Sequence, residues 1–197
     1  MFSGVRVIAS SAICLALLAS AASAQTAAIL IPGAGGPVPI DFLMRNRGAF
    51  ASAGVQTFVA TSPKEAVVVA AKIKAANRRV VMVGMSRGGR MAAGALAMGA
   101  KVDGVVFVST GLDQARQRIG SPSRLPSTLV VHHRNDGCDR TRPQEVAGFV
   151  TWSGGRARVA WIDTQGREAP NPCGPRGAHG FYMQDGPAVR AILSFVR

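Results

Sequence analysis

Acidic residues are scarce in this chain of 197 residues, where 10 Asp and Glu face 23 Lys and Arg and the formal charge at pH 7 is +13. So basic a surface favours anionic surroundings such as lipid headgroups, cell-wall polymers or acidic substrates, and a peripheral attraction to anionic surfaces is expected. A nucleic-acid partner is not expected, because the arginines are scattered and no binding motif or basic run with interleaved aromatics occurs. Cysteine is sparse too. The 3 cysteines, Cys14, Cys138 and Cys173, have no C-x-x-C spacing, which argues against a metal centre. The Gly-rich stretches lack both a G-x-G-x-x-G register and a Walker lysine, so no nucleotide cofactor is expected, nor any other. Past the first 24 residues no segment is long and apolar enough to cross a membrane. Repeats, low-complexity linkers and a second domain are also missing.

What is present begins with a leader. Arg6 supplies a short basic region, Ile13-Cys14-Leu15-Ala16-Leu17-Leu18-Ala19 an apolar core, and Ala22-Ser23-Ala24 a cleavage site of the A-x-A kind. Residues 1–24 therefore read as a signal peptide and 25–197 as a single mature domain, secreted or periplasmic after cleavage near Ala24/Gln25. Loss of the leader removes Cys14. Two cysteines then remain in an oxidising compartment, and an even count there favours a disulfide between Cys138 and Cys173.

Along the mature chain, β-branched runs alternate with helical patterns, which predicts a three-layer α/β/α sandwich around a mostly parallel six-stranded sheet. Strands are predicted at 27–31, 55–60, 80–84, 105–109, 128–132 and 158–162. Helices are predicted at 41–53, 63–77, 87–98, 113–118, 143–152 and 187–196. Ser62-Pro63 is a clear helix start, a capping residue followed by proline at the first helical position.

Chemistry concentrates where the third strand ends. Val80-Val81-Met82-Val83 runs into Gly84-Met85-Ser86-Arg87-Gly88, a G-x-S-x-G turn that leads straight into a helix. Such a turn is too tight for a Cβ two residues either side of the serine, and it lifts the hydroxyl clear of the sheet. A serine hydroxyl needs a base to take its proton, and the base needs an acid to hold its tautomer. The chain has only three histidines. His132 and His133 end a predicted strand, whereas His179 lies in the loop Gly177-Ala178-His179-Gly180 after the last one, and is the expected base. Asp136, in the turn-like string Arg134-Asn135-Asp136-Gly137 after the fifth strand, is the expected acid. Asp139 is held in reserve, and Asp163 and Asp113 are less well placed.

The order Ser86, Asp136, His179, with the serine on a strand-to-helix elbow, resembles the α/β-hydrolase superfamily over essentially the whole mature chain. It resembles a minimal, lidless esterase or lipase of the cutinase type, without the two N-terminal strands of the full fold. The resemblance implies an oxyanion hole from the Arg87 amide and one amide of Pro32-Gly33-Ala34, which points to Ala34, with Gly35 as the alternative. It also places Ser109 to Thr128 where relatives insert a lid; only a short helix fits there, so a shallow, open pocket is expected. Arg87, Arg116, Arg118, Arg134 and Arg176 are expected around its rim. A Cys138–Cys173 bridge would tie the acid loop to the base loop. The implied activity is that of a secreted serine hydrolase acting on a small or lipid-like ester or thioester, with amides next. A non-catalytic relative that binds anionic envelope surfaces is the alternative.

Overall fold

The computed structural model describes residues 26–76, 78–165 and 168–197. The expected leader, its cleavage site and Cys14 lie outside them. Six strands, β1 (Ala27–Ile31), β2 (Gln56–Val59), β3 (Val80–Met85), β4 (Gly104–Val108), β5 (Ser127–His133) and β6 (Ala157–Ile162), form one sheet. Every pairing is parallel and the order is β2-β1-β3-β4-β5-β6. Parallel strands need long crossovers. Here these are helices α1 (Phe42–Arg45), α2 (Arg47–Ser52), α3 (Pro63–Ala75), α4 (Arg87–Ala97), α5 (Leu112–Ile119) and α6 (Glu145–Trp152), with α7 (Asp185–Val196) closing the chain.

Burial on both faces explains why β1, β3 and β4 read as unbroken apolar runs. Side chains alternate along each strand. Ile29, Ile31, Met82 and Phe107 pack against α3, α4, α5 and α6, whereas Leu30, Val81, Val83 and Val106 pack against α1, α2 and α7. The single helix expected over 41–53 is two. Asn46 turns its amide onto the Phe42 carbonyl at 2.8 Å and onto Asp185 at 3.0 Å, and the chain starts a new helix there. The last helix starts earlier than expected, at Asp185. No helix among the described residues is long and apolar enough to cross a membrane.

The strand order itself makes a crevice. From β1 the chain moves outward to β2, then passes back over β1 to β3, so the loops after β1 and β3 part at the carboxyl end of the sheet. Open α/β sheets take ligands at such a reversal.

Candidate active site

Ser86 stands at that crevice, between the end of β3 and the first turn of α4, with φ 53° and ψ −113°. A non-glycine residue with positive φ is strained, and the surrounding contacts hold it there. Its amide donates to the Val108 carbonyl at 2.8 Å. A Cβ on Gly84 would lie 2.6 Å from the Gly88 oxygen, and one on Gly88 would lie 1.9 Å from the Ile31 oxygen. Gly89 was not singled out from the sequence and is as constrained, since a Cβ there would meet Thr110 Oγ1 at 1.9 Å. The three glycines let α4 settle directly on β1 and β4.

His179 lies in a short 3-10 turn, Ala178–Gly180, and is 2% exposed. Phe181 anchors that turn. It takes φ 53° and buries its ring against Phe42 and His133, at centroid distances of 5.1 and 6.1 Å. Arg45 pins the same turn from α1, donating to the Gly180 carbonyl and pairing with Asp185 at 2.6 Å. No sequence signal marked Arg45 for this task, because its partners lie about 140 residues away.

His179 Nδ1 meets Asp136 Oδ2 at 3.0 Å, with the Asp136 side chain fully buried. Asp136 follows β5 in a tight turn and is held further by the Cys138 amide on Oδ1 at 3.0 Å and the Thr141 hydroxyl on Oδ2 at 3.0 Å. Asp139, by contrast, is exposed and turns toward Cys173, and neither Asp163 nor Asp113 approaches the histidine; they pair with Arg134 at 3.4 Å and Arg116 at 3.3 Å. His132 is fully buried beneath Asp136. Its ring stays neutral because burial holds its pKa below the usual value, against the pull of the Asp136 charge.

Ser86 and His179 line one cavity of about 230 Å³, with Val38, Ile40, Phe42 and Met85 as its apolar wall. A larger cavity of about 510 Å³ also touches His179 but does not reach Ser86, so only the smaller one joins the two side chains. Gly33, Ala34 and Gly35 form the rim opposite the serine. Asp41 organises this loop: one oxygen caps α1 through the Leu43 and Met44 amides, and the other accepts from the Gly33 amide at 2.9 Å. Burial pushes the Asp41 pKa up, against those three donors. The amides of Ala34 and Arg87 have no hydrogen-bond partner among the described residues.

The sulfurs of Cys138 and Cys173 are bonded, with Cα atoms 4.6 Å apart. Asp139 stands beside them, but a disulfide has no thiolate to offer a metal. The bridge joins the Asp136 turn to the segment 171–175, which walls the cavity next to His179. The wall therefore comes from this segment; no residue between Ser109 and Thr128 lines the cavity. The expected ring of arginines is corrected likewise, as none lines either cavity next to His179. Arg116 is paired with Asp113, and Arg134 stacks 4.9 Å over Trp161. Two of that ring, Arg87 and Arg118, gather instead with Arg140 around Arg90 of α4. Burial and the charges of those three neighbours hold the Arg90 pKa below its usual value.

The fold recurs in solved structures. An alpha-beta serine hydrolase homologue from Coxiella burnetii superimposes with a TM-score of 0.65 at 11% identity, over 88% of this chain and 86% of that one. The fold is that of the α/β-hydrolases. An esterase from Exiguobacterium antarcticum matches this α/β-hydrolase fold with a TM-score of 0.62 at 11% identity, over 87% of this chain and 91% of that one. A monoacylglycerol lipase from Paleococcus ferrophilus matches with 0.59 at 12%, over 86% and 93%. No protein-family model and no curated protein matches this chain by sequence.

Proposed function

We propose that the protein is a secreted serine hydrolase that cleaves a carboxylic ester or thioester through an acyl-enzyme on Ser86. The observation that carries this reading is the shared cavity of Ser86 and His179, with the far nitrogen of His179 on the buried Asp136. In this mechanism His179 Nε2 takes the Ser86 proton as Oγ attacks the ester carbonyl, and the oxyanion that forms sits on the Ala34 and Arg87 amides. Collapse breaks the ester bond. The leaving alcohol or thiol departs with the proton from His179, and a water molecule activated by the same nitrogen hydrolyses the acyl-enzyme. Asp136 keeps Nδ1 protonated and stabilises the imidazolium.

At about 230 Å³ the cavity is smaller than sites for drug-sized ligands, and its apolar wall suits a short acyl chain. Support from the neighbours is that they include an esterase and a monoacylglycerol lipase. The Cys138–Cys173 bridge is consistent with export, as the leader is. The test is a series of p-nitrophenyl esters of rising chain length, assayed with the wild type and Ser86→Ala. Hydrolysis that peaks at short chains and vanishes in the variant is expected. Equal rates in both proteins would remove Ser86 from the reaction.

A further inference from the structure

Asp136 Oδ2 is a crowded atom. It receives His179 Nδ1 at 3.0 Å and Thr141 Oγ1 at 3.0 Å, and His132 Nε2 stands 3.5 Å away. Thr141 Oγ1 is also 3.2 Å from His179 Nδ1, so acid, base and hydroxyl form a closed triangle. Thr141 is fully buried. Its main chain is fixed as well: the amide donates to the Cys138 carbonyl at 3.1 Å, and the carbonyl accepts from His132 Nε2 at 2.8 Å. A carbonyl only accepts, so His132 carries its proton on Nε2. Its Nδ1 is then a bare lone pair, buried and without a partner. Burial of an unsatisfied polar atom is unfavourable, and here it persists in a ring whose other nitrogen holds Thr141 in place.

We propose that Thr141, oriented by His132, is a positioning residue that sets the basicity of the Asp136–His179 pair. The proposal rests on the reading of that pair as acid and base. By donating to Oδ2, the hydroxyl draws off part of the carboxylate charge that would otherwise stabilise the His179 imidazolium. It also fixes the carboxylate plane so that Oδ2 faces Nδ1. The ionisable groups next to the pair are His132, which faces both Asp136 and His179, and His133, which faces Asp136; behind them Glu145 at the start of α6 faces His132 and Asp163 beyond β6 faces His133. None of these replaces the hydroxyl: the His132 N–H is engaged by the Thr141 carbonyl, His133 Nε2 is on Thr164 and its Nδ1 on the Asn135 amide, and the carboxylates offer no proton.

The sign follows. Without the hydroxyl the carboxylate carries more charge toward Nδ1, and His179 takes up its proton at a higher pH. A hydrogen bond of ordinary net strength limits the change to about one pH unit, and about half a unit is expected because Oδ2 is shared between two donors. Thr141→Val keeps the shape and loses the hydroxyl; Thr141→Ser keeps the hydroxyl. The acid limb of kcat/KM for a p-nitrophenyl ester is expected to rise by about half a unit in the valine variant, a roughly threefold loss at a fixed pH on that limb. The serine variant should stay within twofold of wild type. With only three histidines in the chain, ring-carbon NMR follows the His179 titration directly, so the same shift is readable even if no ester is ever hydrolysed. A folded valine variant with an unmoved titration, or a serine variant that shifts as far as valine, would overturn the proposal. Should valine not fold, the native protein decides. The hydroxyl proton of Thr141 should exchange slowly and show a cross-peak to the His179 Nδ1 proton, and its absence would overturn the proposal.

Discussion

Replacing Gly88 by alanine is the sharpest test of how the Ser86 turn is built. Its Cβ would lie 1.9 Å from the Ile31 carbonyl oxygen and 2.6 Å from that of Pro32, where real Cβ atoms keep at least 3.0 Å. Both obstacles are backbone, so no rotamer relieves the clash. The start of α4 and the end of β1 must move apart by about 1 Å. The first carries the Arg87 amide and the second leads into Ala34, so the two proposed oxyanion donors separate by that amount. A donor contact of about 2.9 Å opened by 1 Å is no longer a hydrogen bond, and loss of one such donor costs about a hundred- to a thousandfold in turnover. Overpacking adds about 1–3 kcal/mol of destabilisation, or a Tm lower by roughly 3–10 °C for a domain of this size. Gly48, inside α2, is the control: a Cβ there meets nothing within 4 Å, and alanine should stabilise the helix by about 0.5–1 kcal/mol. Thermal unfolding and ester hydrolysis on both variants read the outcome. A Gly88→Ala protein with unchanged Tm and more than a third of wild-type turnover would refute this account of the turn.

Reduction of Cys138–Cys173 should abolish ester hydrolysis before near-UV dichroism is lost, because the bridge holds the cavity wall beside His179. Its removal frees a loop with a sequence separation of 35, a destabilisation of about 4 kcal/mol on the loop-entropy estimate, and activity and dichroism lost together would contradict the separate role. Asp41→Asn should keep the α1 cap yet lose the acceptor for the Gly33 amide. Turnover about tenfold lower, with a Tm within a few degrees of wild type, is expected from kinetics and calorimetry. His132 and His133 are held below the usual histidine value of 6.5 by burial, so the unfolded chain binds more protons than the folded one just under that pH. Stability from urea unfolding should therefore fall as pH drops below 6.5, and a flat profile from neutrality to pH 5 would contradict the burial of both rings. The arginines clustered around Arg90 of α4 should favour an ester bearing a carboxylate over its neutral analogue in low salt, with the preference lost in high salt and reduced in Arg118→Gln/Arg140→Gln. Equal kcat/KM for both esters at low salt would count against it.

The sheet and the serine turn were legible in the sequence because each rests on local physics. Apolar runs such as Val80–Val83 can only be strands buried on both faces, and glycine spacing around Ser86 follows from the space a Cβ needs. Asp136 and His179 were legible by their places after β5 and β6, and the structure sets them 3.0 Å apart. What stayed hidden depends on distance in the chain. Arg45 reaches the histidine turn across more than 130 residues, and Thr141 meets His179 across 38. Nothing in the neighbourhood of either residue marks it. Asp41 was half legible: an aspartate ahead of Phe42-Leu43 reads as a helix cap, but its second oxygen on Gly33 shows only in the fold. The arginine rim was misplaced because side-chain charge says nothing about pairing, and Arg116 and Arg134 turned out to have carboxylate partners close by.

The central claim is that Ser86 is an activated nucleophile, and its most direct measurement is intact mass after exposure of the oxidised, folded protein to a fluorophosphonate. One phosphonyl adduct on the wild type and none on Ser86→Ala is the predicted result. A folded wild type that takes up no adduct, or a Ser86→Ala variant labelled equally, would contradict it.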